Sequence, residues 1–233
     1  MKPPLRAIFL DAGGTLIHMD PACILAPLAE HGIRRDQAAY QRADLAARRA
    51  VVAWLAAGNR GGELTRWQLF ARTLLQSLGC TPEAEVAVRA VVGARHAAAT
   101  LWTHTAAGTR AALQRLRAAG YILGVVSNAD GRVVTFLEHA GLGGAFDFVI
   151  DSAAVGLEKP DPRIFDLACE HAGVRPAEAV HVGDVYEIDV LGARAAGVTP
   201  ILFDPDDLLP HADCARIRSL AELPDRLAAL VAA

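Results

Sequence analysis

The sequence predicts an α/β protein with a mainly parallel sheet and an inserted bundle of four helices. Two observations support this expectation. Short apolar runs recur along the chain, and each ends abruptly in polar residues, as the strands of a parallel sheet do at their carboxyl ends. Between residues 19 and 104 the pattern changes to long alanine-rich segments with helical spacing, which interrupt the alternation of strand and helix.

The first apolar run, Ala7–Leu10, ends in Asp11 and is followed by Gly13, Gly14 and Thr15. Glycines let the backbone turn tightly and come close to whatever the carboxylate contacts. A buried strand that ends in this way brings one acid to the edge of the sheet where the ligands of open α/β folds bind.

Three further apolar runs repeat this arrangement at residues 123–126, 148–150 and 180–182. They lead, in order, into Ser127 and Asn128, into Asp151 and onward to Lys159, and into Gly183 and Asp184. The carboxyl ends of parallel strands meet at one edge of the sheet. We therefore expect an acid, a hydroxyl, an ammonium and a second acid to converge on one crevice.

The inserted segment predicts four antiparallel helices joined by short loops. Asp20 before Pro21 is the start signal of the first helix, and Asp36 is the cap of a second helix that runs to Gly58. The third helix starts at Thr65 and ends near Gly79, and Thr81 before Pro82 starts the fourth. The predicted boundaries are 1–18 for the first part of the core, 19–104 for the helical insertion and 105–233 for the remainder of the core.

After residue 105 the chain alternates helix and strand, which predicts parallel strands with right-handed crossovers. Helical segments at 131–140, 161–173 and 186–196 precede apolar runs at 148–150, 179–182 and 199–203. Ser219 and Glu222 form a capping-box pattern that opens a last alanine-rich helix.

The composition excludes several classes of function. Of 233 residues, 53% are hydrophobic and 21% are charged, which is typical of a folded globular protein. The formal net charge of −3 gives no basic footprint, so we do not expect nucleic acid as a partner, and no apolar run is long enough to cross a membrane. The four cysteines are scattered and predict buried thiols in a reducing compartment. We therefore expect a cytoplasmic protein that is a monomer or a homodimer.

In these motifs and their order, the chain resembles the haloacid dehalogenase-like (HAD) hydrolase superfamily, in the subfamily with a helical cap inserted after the first strand. All four motifs of that family can be placed between Asp11 and Asp189, and the stretches 156–162 and 182–189 are especially specific matches. The resemblance implies a Rossmann-like three-layer core, a four-helix-bundle cap, and a hydrolase whose nucleophile is Asp11.

The resemblance also implies chemistry on a phosphate monoester. A carboxylate attacks phosphorus only if the repulsion between two anions is overcome, and magnesium does this by bridging carboxylates and phosphate oxygens. The expected Mg²⁺ ligands are Asp11, Asp184, the carbonyl of Gly13 and, as a weaker third side chain, Asp189. Lys159 would neutralise the remaining charge and hold Asp11 ionised.

The remaining motif residues are expected to bind the substrate, a small phosphorylated molecule. Thr15 and Ser127 would act as catalytic groups whose hydroxyls bind phosphate oxygens, with Gly14 and Asn128 as substrate-binding residues beside them. Arg60, in the glycine-rich loop 58–62 of the insertion, is the candidate to grip an anionic substrate.

Lysine is rare in this chain, since Lys2 and Lys159 are the only two among 23 basic residues. This bias indicates that Lys159 is needed as a compact ammonium rather than a planar guanidinium. We assign packing roles to Trp54, Trp67 and Trp102, in the bundle or at its seam with the core, and to His181 inside a predicted strand.

Gly13 is the one departure from the family pattern. The family's phosphatases usually carry a second Asp at this position, which offers its backbone carbonyl to magnesium and its carboxyl group as general acid to the leaving group. Glycine keeps the carbonyl and loses the acid, a loss typically worth about 10²–10⁴-fold in rate. Alkyl phosphates should suffer most, because alkoxide leaving groups need a proton, and acyl or aryl phosphates should suffer less. His18 or Asp20, acting through a water, is an alternative donor.

Three functions stay open on the sequence alone. A metal-dependent phosphatase is favoured, because Asp184 and Asp189 suit a cation. A dehalogenase-type hydrolase of small haloacids is one alternative, since those relatives also lack the second Asp but need no magnesium. A phosphate-binding or regulatory protein with little turnover is the other. Gly13 counts against a phosphomutase, and the absence of lysine from the insertion excludes phosphonate cleavage through an imine.

Overall fold

The computed structural model describes residues 4–59 and 61–232. The chain divides into two compact units. One, here called the core unit, comprises Met1–His18 and Trp102–Ala233, and the other, the helical unit, comprises Met19–Leu101. The helical unit thus ends three residues before the predicted boundary at 104.

The strands and helices follow each other along the described residues without a long irregular segment. The strands are β1 Ala7–Leu10, β2 His18–Met19, β3 Trp102–His104, β4 Ile122–Ser127, β5 Phe148–Asp151, β6 Ala179–Gly183, β7 Thr199–Phe203 and β8 Ala215–Ile217. The helices are α1 Ala22–Glu30, α2 Gln37–Ala56, α3 Glu63–Ser77, α4 Pro82–Ala98, α5 Thr109–Ala118, α6 Val133–His139, α7 Ser152–Val155, α8 Pro162–Ala172, α9 Leu191–Ala195 and α10 Leu223–Ala232.

The core unit is built on a six-stranded sheet in the order β5-β4-β1-β6-β7-β8. Every pair of neighbours in this sheet is parallel, which confirms the predicted α/β class with a parallel sheet. The short strands β2 and β3 form a separate two-stranded sheet. The strand order places β1 in the interior, with the chain adding strands first on one side of it and then on the other.

Both faces of the six-stranded sheet are buried, and this explains why its strands read as apolar runs rather than as alternating ones. Ile8 and Leu10 of β1 belong to a cluster that also holds Leu116 of α5 and Phe136 of α6. Ala7 and Phe9, which point the other way, join a second cluster with residues of α8 and α9. Helices therefore cover the sheet on both sides, in three layers.

The register of the sheet sets the level at which each motif leaves it. Leu10 pairs with Val125 of β4 and with Val182 of β6, so the next residue, Asp11, lies level with the carboxyl ends of both neighbouring strands. Ser127 in turn pairs with Asp151 at the end of β5. The four predicted motifs thus leave the sheet at one edge, on adjacent strands.

The helical unit consists of α1 to α4. Asp36 accepts a hydrogen bond from the backbone N–H of Ala39 (2.7 Å), and Thr81 accepts one from Ala84 (3.3 Å), so both predicted N-caps begin helices. The arrangement of this unit as a cap over the site stays a prediction. No helix within residues 4–59 and 61–232 has both the length and the apolar character needed to cross a bilayer.

Three local predictions differ from the structure. Helix α3 begins at Glu63 after an extended Gly62, not at Thr65, and thereby gains an acidic residue in its first turn. The predicted helix at 186–196 starts as a π-helical turn, Tyr186–Val190, before α9. Strand β8 was not predicted, because its three residues Ala-Arg-Ile give too short an apolar signal.

Candidate active site

Asp11 lies directly after β1 with its carboxylate largely buried. Its backbone N–H donates to the carbonyl of Val182 (2.8 Å), which holds it against the end of β6. The chain then turns sharply, since the carbonyl of Ala12 accepts from the N–H groups of both Leu16 and Ile17 (2.9 Å each). This turn fixes the direction in which the Asp11 side chain leaves the sheet.

Lys159 reaches Asp11 from a distant part of the sequence. Its Nζ lies 2.7 Å from Oδ1 of Asp11 and 2.7 Å from Oδ1 of Asp189, and its side chain is 2% exposed. Burial alone would lower the pKa of Lys159, but the two carboxylates outweigh this and raise the pKa above its ordinary value. The side chain is therefore a buried ammonium shared by two carboxylates.

Asp189 links Lys159 to His181. Its Oδ1 accepts from Lys159 and contacts Nε2 of His181 (2.9 Å), and its Oδ2 accepts from the backbone N–H of Val185 (3.0 Å). Burial alone would raise the pKa of Asp189, but the charge of Lys159 and the hydrogen bond from His181 hold it well below its usual range. Asp189 is thus an anion whose two oxygens both accept from protein donors.

His181 is the buried end of this chain of contacts. Burial is the main cause that lowers its pKa, so the ring is neutral, and Nε2 carries the proton because the carboxylate of Asp189 only accepts. Its Nδ1 finds no hydrogen-bond partner among the described residues. The ring packs edge-to-face on Phe165, with centroids 4.9 Å apart.

Asp184 approaches the β1 turn from the end of β6. Gly14 has a φ of +85°, and a Cβ built there would overlap the carboxylate of Asp184. A Cβ on Gly183 would likewise overlap the carboxylate of Asp189. Both glycines are therefore needed for the carboxylates to come this close to the backbone.

The motif hydroxyls are buried at the same edge of the sheet. Ser127, the last residue of β4, is 3% exposed, and Thr15 is fully buried. Oγ1 of Thr15 has no hydrogen-bond partner in the part of the chain that the structure describes. A buried hydroxyl without a protein partner is uncommon and calls for an explanation, such as an ordered water or a functional role.

Comparison with known proteins identifies the family of this chain. The family model for haloacid dehalogenase-like hydrolases matches residues 5–197. The chain belongs to the haloacid dehalogenase-like hydrolases. A haloacid dehalogenase-like hydrolase domain-containing protein 3 from Bos taurus is 47% identical over 104 residues, which cover 44% of this chain and 41% of that protein. A glyceraldehyde 3-phosphate phosphatase from Methanopyrus kandleri is 33% identical over 168 residues, which cover 66% of this chain and 71% of the relative.

The match to the bovine relative spans less than half of that protein's length. Among solved structures, that of the putative HAD-hydrolase YfnB from Bacillus subtilis, bound to magnesium, has a TM-score of 0.69 and 18% identity, and the match covers 97% of this chain and 99% of that one. At this identity the likeness supports the fold alone.

Two motif residues of this HAD-like hydrolase have clear structural partners. Asn128 holds the backbone of Lys159 from both sides: its Oδ1 accepts from the Lys159 N–H (2.8 Å), and its Nδ2 donates to the Lys159 carbonyl (2.9 Å). Asp151 accepts from the N–H groups of Val133 (3.2 Å) and Ala153 (3.0 Å), and so caps α7 and meets the start of α6. Arg60 lies outside the described residues.

The donors at this edge fit a magnesium ion. Asp11 and Asp184 provide hard carboxylate oxygens, Gly13 adds a backbone carbonyl, and the space that Gly14 leaves brings Asp184 close to this turn. Within the described residues no three His, Cys, Asp or Glu side chains cluster as a metal site. Mg²⁺ is usually held by one or two carboxylates together with substrate phosphates and water, so two carboxylates and a carbonyl suit it.

Sequence reasoning assigned His181 to core packing and missed its contact with Asp189. A signal was present, since a histidine within an otherwise apolar strand must satisfy a ring nitrogen in the interior. Trp102 was likewise assigned to packing only. A Cβ built on Gly13 would lie 3.5 Å from Cη2 of its indole ring, which no local pattern in the sequence could indicate.

Proposed function

We propose that this HAD-like hydrolase is a magnesium-dependent phosphatase that acts on a small phosphorylated metabolite through a phospho-aspartate on Asp11. The observation that carries the proposal is the buried contact of 2.7 Å between the Asp11 carboxylate and Lys159. The phosphatase named among the relatives, from Methanopyrus kandleri, supports phosphate esters as the substrate class.

Lys159 prepares Asp11 for attack in two ways. An ammonium at hydrogen-bond distance favours the ionised, nucleophilic carboxylate and fixes one of its oxygens. The same positive charge lowers the cost of bringing a phosphate dianion into a site that already holds carboxylates. Asp189, which itself contacts His181, accepts a second hydrogen bond from the Lys159 ammonium, and Asn128 holds the Lys159 backbone.

The reaction runs in two displacement steps. A carboxylate oxygen of Asp11 forms a bond to phosphorus while the bond from phosphorus to the leaving oxygen breaks, and the leaving group departs with the electron pair. Water then attacks the phospho-aspartate, which releases inorganic phosphate and restores Asp11. The hydroxyls of Thr15 and Ser127 donate to phosphate oxygens during both steps, and this role would satisfy the buried Thr15 Oγ1.

Magnesium, when bound, supplies charge neutralisation between the carboxylates and the phosphate. Asp11, Asp184 and the carbonyl of Gly13 are the residues that would hold it. Asp189 was also expected from the sequence to be a ligand. Since its oxygens already accept from Lys159, His181 and Val185, we propose that it contributes by orienting Lys159.

Gly13 limits the leaving groups that this site can expel. With no carboxyl group at position 13, the leaving oxygen receives no proton from that residue. Leaving groups that are stable as anions, those of acyl and aryl phosphates, should therefore react faster than alkoxides.

The test is phosphate release from acetyl phosphate and p-nitrophenyl phosphate, with Mg²⁺ and with the metal removed by a chelator. We expect release that depends on Mg²⁺ and is abolished in Asp11→Asn, with a phosphoryl adduct detectable by mass on the wild-type protein only. Asp225→Asn, an exposed carboxylate of α10, is the matched control and should retain full activity.

Two results would replace the proposal. Metal-independent turnover of 2-haloacids without phosphatase activity would assign the protein as a dehalogenase. Binding of phosphate with no turnover of either phosphate compound would assign it as a phosphate-binding protein.

A further inference from the structure

We infer that Trp102 is a specificity-determining residue of this site, and that it favours phosphate esters whose leaving group is a flat aromatic ring. The inference rests on the proposed phosphatase function and goes beyond it. The proposed function favours a leaving group that departs without a proton, whereas the position of Trp102 selects among such groups by shape and polarity.

The outer edge of the Trp102 indole faces position 13. A Cβ built on Gly13 would lie 3.5 Å from Cη2, 3.6 Å from Cζ3 and 3.9 Å from Cζ2 of the ring. These three consecutive atoms form the hydrocarbon edge of the six-membered ring. The Gly13 backbone, two residues from the nucleophile, is therefore bordered by aromatic carbon.

The indole is held in place by the core unit. Trp102 is partly buried and packs against the apolar cluster that contains Leu10, Leu16 and Ile17. Three residues later, Oγ1 of Thr105 donates to the carbonyl of Leu16 (3.0 Å), which ties the segment that carries Trp102 to the turn that carries Gly13. These contacts restrain the position of the indole beside the turn.

The chemistry of this aromatic edge matches one class of leaving group. The edge of carbon atoms offers neither a proton nor a hydrogen bond to a leaving oxygen, since the donor of indole is Nε1. Polar alkyl leaving groups, such as a glycerol moiety, would lose hydrogen bonds to water here without replacement. An aryl group loses none and gains an aromatic contact, for which edge-to-face or offset geometry is favourable.

The experiment compares kcat/KM for p-nitrophenyl phosphate and acetyl phosphate in the wild-type protein, Trp102→Leu and Trp102→Phe, all with Mg²⁺. Both leaving groups depart without general acid, so they differ mainly in the aromatic ring. We expect Trp102→Leu to lower kcat/KM for p-nitrophenyl phosphate about 3- to 10-fold, the usual value of one aromatic pair, and to leave acetyl phosphate within about 2-fold.

The loss should appear in KM and not in kcat, because the ring contact is equal in the ground state and the transition state. Trp102→Phe retains a six-membered ring and should keep most of the preference. Tyr121→Leu removes another partly buried aromatic residue that packs on the same cluster but lies before β4, at the opposite edge of the sheet, and should change neither substrate.

The failures of the two proposals are distinct. If wild-type protein releases phosphate from neither compound, the proposed function fails and this inference fails with it. If it releases phosphate from both and Trp102→Leu lowers both equally, or lowers kcat alone, Trp102 has only a structural role and the inference alone is overturned. Thermal unfolding of each variant shows whether a loss of activity comes from a loss of fold.

Discussion

Restoring a carboxyl group at position 13 provides the sharpest test of how this site expels its leaving group. The backbone conformation at Gly13 lies outside the left-handed region, so it does not itself require glycine. A Cβ there would meet its nearest neighbours, three ring carbons of Trp102, at 3.5 to 3.9 Å, which is ordinary van der Waals contact. A Cβ at position 13 is therefore accommodated, and thermal unfolding of the variant measures what the carboxyl group beyond it costs.

The expected gain follows from the chemistry of the missing proton. General acid catalysis is typically worth about 10²–10⁴-fold, or about 3–5 kcal/mol of barrier. The new carboxyl group would lie two residues from Asp11, and nearby negative charge raises the pKa of a carboxyl group, which favours the protonated form needed by an acid. We expect kcat for an alkyl phosphate such as glycerol phosphate to rise about 100-fold or more, and kcat for acetyl phosphate to change by less than about 3-fold.

The assay is phosphate release under saturating Mg²⁺ across a series of esters ordered by the pKa of the leaving alcohol. In wild-type protein the logarithm of kcat should fall steeply as that pKa rises, and in Gly13→Asp the slope should become shallow. Gly13→Asn is the matched control, because an amide of the same size cannot donate the proton in this way. Gly13→Ala reports the effect of the Cβ alone.

Unchanged alkyl-phosphate turnover in a folded, metal-binding Gly13→Asp would refute the argument. It would mean that another donor, such as water held by His18 or Asp20, already protonates the leaving group. A gain of equal size in Gly13→Asn would refute it differently, by showing that the added side chain acts through position and not through its proton.

Two further predictions concern the buried chain of charges. Lys159→Met leaves two buried carboxylates without their shared cation, so it should abolish phosphate release and lower the free energy of unfolding by about 3–5 kcal/mol in urea titrations. The control Arg117→Met removes an exposed ion pair and should lower the free energy of unfolding by less than about 1 kcal/mol. Equal losses in the two variants would contradict the burial argument. Because burial lowers the pKa of His181, the unfolded chain binds its proton at a higher pH than the folded protein, and stability is lost as the pH falls below about 6.5. Urea unfolding should therefore show a shallower loss of stability towards acid pH in His181→Gln than in wild-type protein. Parallel slopes in the two proteins would show that His181 does not titrate in this way.

The parts of the fold that could be predicted are those specified by short segments. An apolar run that ends in Asp11 or Asp184 indicates both a buried strand and the edge at which it ends, and parallel strands bring such ends to one edge. Helix starts were predicted where a side chain caps the backbone, at Asp36 and Thr81, and were misplaced at α3, where Gly62 takes the cap position without any side chain.

The parts that could not be predicted depend on pairs of residues far apart in sequence. Trp102 comes 89 residues after Gly13, and its approach depends on where the chain re-enters the core unit. Asn128 was expected to bind substrate, but the structure shows that both ends of its amide hold the backbone of Lys159, a pairing that depends on how two loops meet. The assignment of site roles stays a prediction at each of these positions.

The use of lysine at position 159, in a chain whose other basic residues are nearly all arginine, has a physical reason in the structure. One nitrogen must lie 2.7 Å from Asp11 and 2.7 Å from Asp189 within a space that leaves the side chain 2% exposed. An ammonium can donate to two carboxylates from a single atom, whereas a guanidinium spreads its donors over a planar fork and needs more room and more acceptors. Since any donor left without an acceptor in this interior would be costly, lysine is the cation that satisfies both carboxylates there.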